Sequence, residues 1–147
     1  MNVLPVPIIP TTSNNYGRLL ALWEAAGLSC RPNGRDSQAA LADQVEQGWL
    51  TILGIESGDD LIAAVLITHD GRKGWINRLA VHPDCRRQGI ARQLVAASED
   101  LLRSKGIEVY AALIEPGNEA SLALFSEAGY VDYEGMHYVT KREREDV

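Results

Sequence analysis

The segment Leu79-Ala80-Val81-His82-Pro83-Asp84-Cys85-Arg86-Arg87-Gln88-Gly89-Ile90-Ala91 sets the order of elements in this chain. An apolar stretch runs into a basic turn, then a glycine. Beyond it Ile90, Leu94, Ala97 and Leu101 recur at helical spacing, so a strand passes through a loop into a helix near Gly89. The first turn of such a helix leaves backbone N–H groups without intrahelical partners. The macrodipole adds partial positive charge there, and Arg86 and Arg87 add full charges. An anion site is expected. Gly89 and the small Ala91 would let a phosphate approach the backbone with no Cβ in the way. The alternative is a solvated basic turn before an ordinary helix.

On either side of this loop the pattern alternates between strands and helices. Val3 to Ile9, broken by Pro5 and Pro7, is predicted as a short edge strand. Ser13, Asn14 or Asn15 caps a helix whose apolar stripe is Tyr16, Leu19, Leu20 and Trp23. Cys30 to Asp36 is a loop, and Asp36 or Ser37 caps a second helix to about Gln47. Trp49 to Ile55 and Trp75 to Val81 are strands. Leu61 to Thr68 is a continuous apolar run, predicted as a strand buried on both faces. Ile107 to Ile114 is a strand, and a helix follows Asn118. Tyr130 to Tyr133 and Met136 to Thr140 are predicted as two closing strands, with a frayed, charged tail from Lys141. The order is that of an α/β (α+β) mixed sheet of about seven strands and four helices, in one domain spanning 1–147. The fourth and fifth strands are joined by a right-handed crossover.

Composition narrows the class of partner. The chain has 147 residues, 46 % hydrophobic and 23 % charged, ordinary for a globular domain. Its formal net charge of -6 opposes binding to phosphate polymers, so no nucleic-acid partner is expected. That balance also favours a cationic acceptor. Cys30 and Cys85 have no metal-ligand spacing and read as reduced thiols. His69, His82 and His137 share no spacing, so no metal is expected. Met1 to Pro10 lacks the features of a signal peptide, and no apolar run is long enough for a membrane span. A cytoplasmic protein is expected.

Arg86-x-x-Gly89-x-Ala91 is similar to the Arg/Gln-x-x-Gly-x-Gly/Ala signature of the GNAT acetyltransferases, and the preceding Leu-Ala-Val-His-Pro resembles that family's fourth strand. Downstream, Asn118-Glu119-Ala120-Ser121-Leu122-Ala123-Leu124-Phe125, followed by Gly129-Tyr130, resembles its second signature. The two motifs stand in the family's order and at its separation, and the resemblance covers nearly the whole chain. Leu22-Trp23-Glu24, Arg31-Pro32 and the Asp70-Gly71 turn resemble a small bacterial subgroup of unassigned acceptor.

The resemblance implies an N-acetyltransferase that carries an acetyl group from acetyl-CoA to an amine by direct attack in a ternary complex. Backbone N–H groups of Arg87, Gln88, Gly89, Ile90 and Ala91, beside Arg86, would hold the pyrophosphate. The fourth and fifth strands would splay, and the pantetheine arm would lie along Leu79, Ala80 and Val81. Asn118 would hydrogen-bond that arm, with Ser121 and Phe125 beside it. Asn118 also reads as a helix cap and Phe125 as a core aromatic. A backbone N–H near Leu79 or Ala80 would stabilise the oxyanion.

The sequence departs from the family at two places. Many members carry a tyrosine where Phe125 stands, and it protonates the leaving thiolate. Tyr138, or Tyr133, would substitute. Leu113 stands where some members carry a glutamate base, leaving Glu24, Asp70 and Glu115 as candidates. Arg31, in the loop between the first two helices, would bind the acceptor together with Asn77 and Tyr133. Asn77 and Arg78 are expected to face opposite sides by alternation, so at most one of them would face the cleft. The acceptor is a small-molecule amine or a protein amine, and the protein a monomer or homodimer. A CoA-binding sensor without turnover is the alternative that the missing tyrosine and base suggest.

Overall fold

The computed structural model describes residues 4–10 and 12–147, so Val3 of the expected edge strand lies outside it. The elements are β1 (Val6–Pro7), α1 (Ser13–Ala25), α2 (Gln38–Glu46), β2 (Leu50–Ser57), β3 (Asp60–His69), β4 (Gly74–Val81), a 3-10 turn (Pro83–Cys85), α3 (Ile90–Ser104), β5 (Tyr110–Ala111) and α4 (Glu119–Glu127). The cap of α1 falls one residue earlier than expected. Thr12 has an extended backbone, and its hydroxyl accepts from the Asn15 N–H at 3.2 Å. Ser37 caps α2, accepting from the Ala40 N–H at 3.1 Å.

The sheet has the order β1-β2-β3-β4-β5, and only β4–β5 is parallel. Alternation along β3 explains its unbroken apolar run. Ala63, Val65 and Ile67 point into a core beneath α3 and α4 that holds Leu94, Leu102 and Phe125. Leu61, Ala64 and Leu66 point into a second core beneath α1 and α2 that holds Leu19, Leu22, Trp23 and Leu41. Both faces are covered, so no polar position is needed in this strand. Each such leucine taken from water contributes about 1.5–3 kcal/mol. This burial fixes α1 and α3 on opposite sides of β4.

β4 carries a bulge. Ala64 pairs with Ala80 and Leu66 with Asn77. Two residues, Arg78 and Leu79, therefore stand opposite Val65 alone. Arg78 takes φ +48°, a left-handed conformation that costs a non-glycine residue about 1–2 kcal/mol. The bulge overturns the expected alternation of Asn77 and Arg78. The Asn77 amide donates to Thr68 Oγ1 at 3.2 Å, and the Arg78 guanidinium lies 4.9 Å from the centre of the Trp23 ring. Both side chains therefore lie on the α1 face, because the extra residue resets the period of two.

The expected seven strands reduce to five. Of Ile107 to Ile114 only Tyr110–Ala111 joins the ladder. Tyr130 to Tyr133 and Met136 to Thr140 form no strand and join no ladder, and residues 131–140 are exposed. Alternating apolar residues specify which side chains share a face. They do not supply a hydrogen-bonded neighbour. The tail is not frayed as expected. The Arg31 guanidinium donates to the Glu145 carbonyl at 2.6 Å, and Gly34 packs so closely on Asp146 and Val147 that a Cβ would meet the Asp146 carbonyl.

Candidate active site

The loop from β4 to α3 is held at both ends. His82 Nδ1 accepts from the Asp84 N–H at 3.2 Å, and the Cys85 N–H donates to the His82 carbonyl at 2.9 Å. Ile90 anchors the other end in the core. Between them Arg86 to Gly89 are exposed, and Arg87 (φ +65°) and Gly89 (φ +76°) are both left-handed. Gly89 is the N-cap of α3 and provides no side-chain hydrogen bond. The N–H groups of the first turn are left to whatever approaches from outside. A Cβ on Gly89 would meet nothing within 4 Å. The backbone conformation, rather than crowding within the chain, is what demands glycine here. The space beside it is open, and the helix dipole and two arginines make it positive.

Next to this loop the pairing of β4 with β5 ends. β4 and β5 pair only at Gly74↔Tyr110 and Trp75↔Ala111. Beyond those rungs Asn77 to Val81 and Ala112 to Ile114 share no ladder, so the two segments run on without backbone pairing to each other. Leu79, Val81, Ala112 and Ile114 are half-buried against the core beneath α3. Asn118 caps α4, its side chain accepting from the Ser121 N–H at 3.2 Å. Phe125 is buried and meets Tyr130 edge to face, with ring centres 4.9 Å apart. Its ring is a core aromatic. The Tyr130 hydroxyl donates to Glu99 Oε2 at 2.7 Å. Burial first, then that hydrogen bond and the Glu99 charge, push its phenol far above the ordinary value, so it holds its proton.

The remaining candidates are scattered. Glu24 and Glu115 are exposed, as are Tyr133 and Tyr138 on the C-terminal segment after α4. Leu113, where a base stands in other members, is also exposed. The Asp70 carboxylate accepts from the Arg72 and Lys73 N–H groups at 2.8 Å each. Those bonds, Lys73 first, lower its pKa and tie it to the turn. Arg31 is half-buried and committed to Glu145.

Two features escaped the sequence reading. Asp36, assigned there as a possible helix cap or a loop carboxylate, is 3 % exposed and paired with Arg78 at 2.8 Å. The signal was Arg78 itself, since an arginine inside an apolar strand needs a buried acid. The second is a cleft of about 440 Å³ on the α1 side of the loop, with Arg18, Asp60, His82 and Cys85 in its wall. None of the expected site residues lines it. Among the described residues no three His, Cys, Asp or Glu side chains gather as a metal site, and no helix is long and apolar enough to cross a membrane.

Known proteins resemble this chain in sequence and in fold. An acetyltransferase of Sodalis glossinidius is 24 % identical over 133 residues, covering 90 % of this chain and 92 % of its own. An aminoglycoside acetyltransferase from an uncultured soil metagenomic sample superposes with a TM-score of 0.77 at 18 % identity, over 97 % of this chain and 100 % of its own. A predicted acetyltransferase from Clostridium acetobutylicum, crystallised with acetyl-CoA, superposes with a TM-score of 0.73 at 15 % identity, over 95 % of each chain. Residues 19–130 match the model of the acetyltransferase (GNAT) family. By that match and by the fold it shares with these proteins, the chain belongs to the GNAT family and is an acyltransferase.

Proposed function

We propose that this chain, acting as a single domain over 1–147 in the cytoplasm, transfers the acetyl group of acetyl-CoA to an amine. The observation that carries the reading is the uncapped start of α3, beside Arg86 and Arg87, next to the stretch where β4 and β5 no longer pair. The pyrophosphate is held by the N–H groups from Arg87 to Ala91, with Arg86 beside them. The pantetheine arm follows Leu79, Ala80 and Val81, across from Asn118, Ser121 and Phe125. The two half-buried cysteines are unpaired, which fits a reducing compartment.

In this reaction the amine nitrogen attacks the thioester carbonyl carbon, and the N–H of Leu79 stabilises the oxyanion. The C–S bond then breaks, an amide forms, and the proton lost by the amine ends on the CoA thiolate. Holding donor and amine together accounts for most of the acceleration. An alkylammonium, with pKa about 10.4, must lose a proton before attack. Glu24 is the base of this proposal, acting through water. A thiol pKa of about 8.5 makes CoA a good leaving group. Phe125 in place of a tyrosine therefore slows release rather than stopping it; exposed Tyr138 relays the proton, giving its own to the thiolate and regaining the one that the amine loses through solvent. The amine approaches from the side of Arg31, Asn77 and Tyr133. The net charge of -6 favours a cationic acceptor, whether a polyamine-like small molecule or a protein amine. The protein acts as a monomer or homodimer.

The test is a thermal shift with acetyl-CoA beside a phosphate-matched ATP control. Ligand at about 100 times its Kd stabilises by about 2.7 kcal/mol, a rise in Tm of roughly 5–10 °C for a domain of this size. A rise with acetyl-CoA alone is expected, followed by amine-dependent release of free thiol. No rise at millimolar acetyl-CoA overturns the reading.

A further inference from the structure

Asp36 is a hub. Its Oδ2 accepts from the Arg31 N–H at 2.6 Å and from Arg78 Nη2 at 2.8 Å. Its carbonyl accepts from the Tyr16 hydroxyl at 2.8 Å. The second arm of the Arg78 guanidinium donates to the Ser29 carbonyl, and its plane lies over Trp23. One side chain of β4 thus grips both ends of the loop that joins α1 to α2. The backbone that supports this side chain is the strained, left-handed residue of the bulge. A strained residue persists where its surroundings over-determine it. Here the determinants are an ion pair that is nearly dry on the Asp36 side, a carbonyl and an aromatic face. Such a pair gives little net stability compared with apolar residues of the same volume. What it does supply is fixed geometry.

We propose that Arg78 and Asp36 are positioning residues for acetyl transfer: their ion pair locks the β4 bulge, and with it the N–H of Leu79, to the loop between α1 and α2. The inference rests on the transferase reading above and adds a device to it. Donor and acceptor sides of the site are set against each other by one arginine that touches neither reactant. Arg78 and Asp36 lie on the α1 face of the sheet, whereas the pyrophosphate loop follows the end of β4 and opens α3 on the other face. Donor affinity and turnover should therefore respond differently to their loss.

The experiment compares the full-length wild type with R78G, R78K and D36N. Acetyl-CoA affinity is read by thermal-shift titration. Turnover is read as free-thiol release with hydroxylamine, a nucleophile too small to need an acceptor pocket, well below each variant's own Tm. Glycine relieves the strain at position 78 while removing the guanidinium, and asparagine keeps the shape of Asp36 while removing its charge. R78G and D36N should bind acetyl-CoA within about threefold of the wild type and lose about tenfold or more in kcat. R78K should regain part of that loss. A lowered Tm with kcat within about twofold of the wild type means the pair is only structural and overturns the proposal. So does a parallel loss of acetyl-CoA affinity and kcat, or a wild type that binds acetyl-CoA without accelerating thiol release. If R78G fails to fold, D36N decides the matter by the same criteria. A wild type that does not bind acetyl-CoA refutes the transferase reading instead, and is visible before any variant is made.

Discussion

At the scale of single residues, Gly89 and Tyr130 make the sharpest demands. Gly89 must keep φ +76°, which costs a β-branched residue about 1–2 kcal/mol or more. It also borders the open space at the start of α3. Gly89→Val is expected to lower Tm by a few degrees and to abolish the acetyl-CoA shift. A variant that still shows the full shift would remove the anion loop from the site. Tyr130 gives a pH dependence. Its phenol pKa is raised on folding, so the folded state holds its proton more tightly than the unfolded chain, whose value is about 10. The stabilisation is complete below that pH and is lost as pH rises above it. Tyr16 is raised as well, by burial and then by the charges of Cys30 and Asp36. Stability should fall from about pH 10 upward, and Tyr130→Phe should flatten part of that fall in denaturant titrations across the alkaline range.

At the scale of elements, the close fit of α3 on the sheet hangs on Gly74. A Cβ there would collide with the Leu102 methyl groups. Overpacking of this kind costs about 1–3 kcal/mol, so Gly74→Ala should lower Tm by roughly 2–10 °C and leave acetyl-CoA affinity unchanged. Loss of affinity in that variant would mean that the helix moves as a rigid lever. Helices were more legible in the sequence than strands. Ile90, Leu94 and Leu101 and the stripe of Leu19 and Trp23 encode their own face, because a helix closes its hydrogen bonds internally. A strand needs a partner that periodicity does not name. Val131, Tyr133, Met136 and Tyr138 show that limit, and so does the bulge at Arg78. No local signal separates a bulged arginine from an alternating one. The turn from β4 into α3 was legible because the glycine, the arginines and the helix start are contiguous. Asp36 was not, because its partner lies 42 residues away.

At the scale of the whole molecule, most contacts that hold the sheet are local. β2, β3 and β4 form a meander joined by short turns, whereas β5 reaches β4 only after the long crossover through α3 and is held by two rungs. That asymmetry has a consequence for the order in which the chain assembles. Closing a short turn costs less chain entropy than closing the crossover, and long-range parallel pairing forms late. The meander should therefore be a cooperative unit that forms early and opens only with global unfolding. The last quarter of the chain, from β5 onward, should open separately and more often. Native-state hydrogen exchange checks this directly. Amides of Ile52, Val65 and Ile76 should be the slowest, and those of Tyr110 and Ala111 should exchange through a smaller opening that acetyl-CoA suppresses. Equal protection in both regions would show instead that β5 docks as part of the nucleus. When the meander forms first, the strand that leads into the proposed pyrophosphate loop is built before the wall that faces it, and that wall is the last part of the protein to arrive.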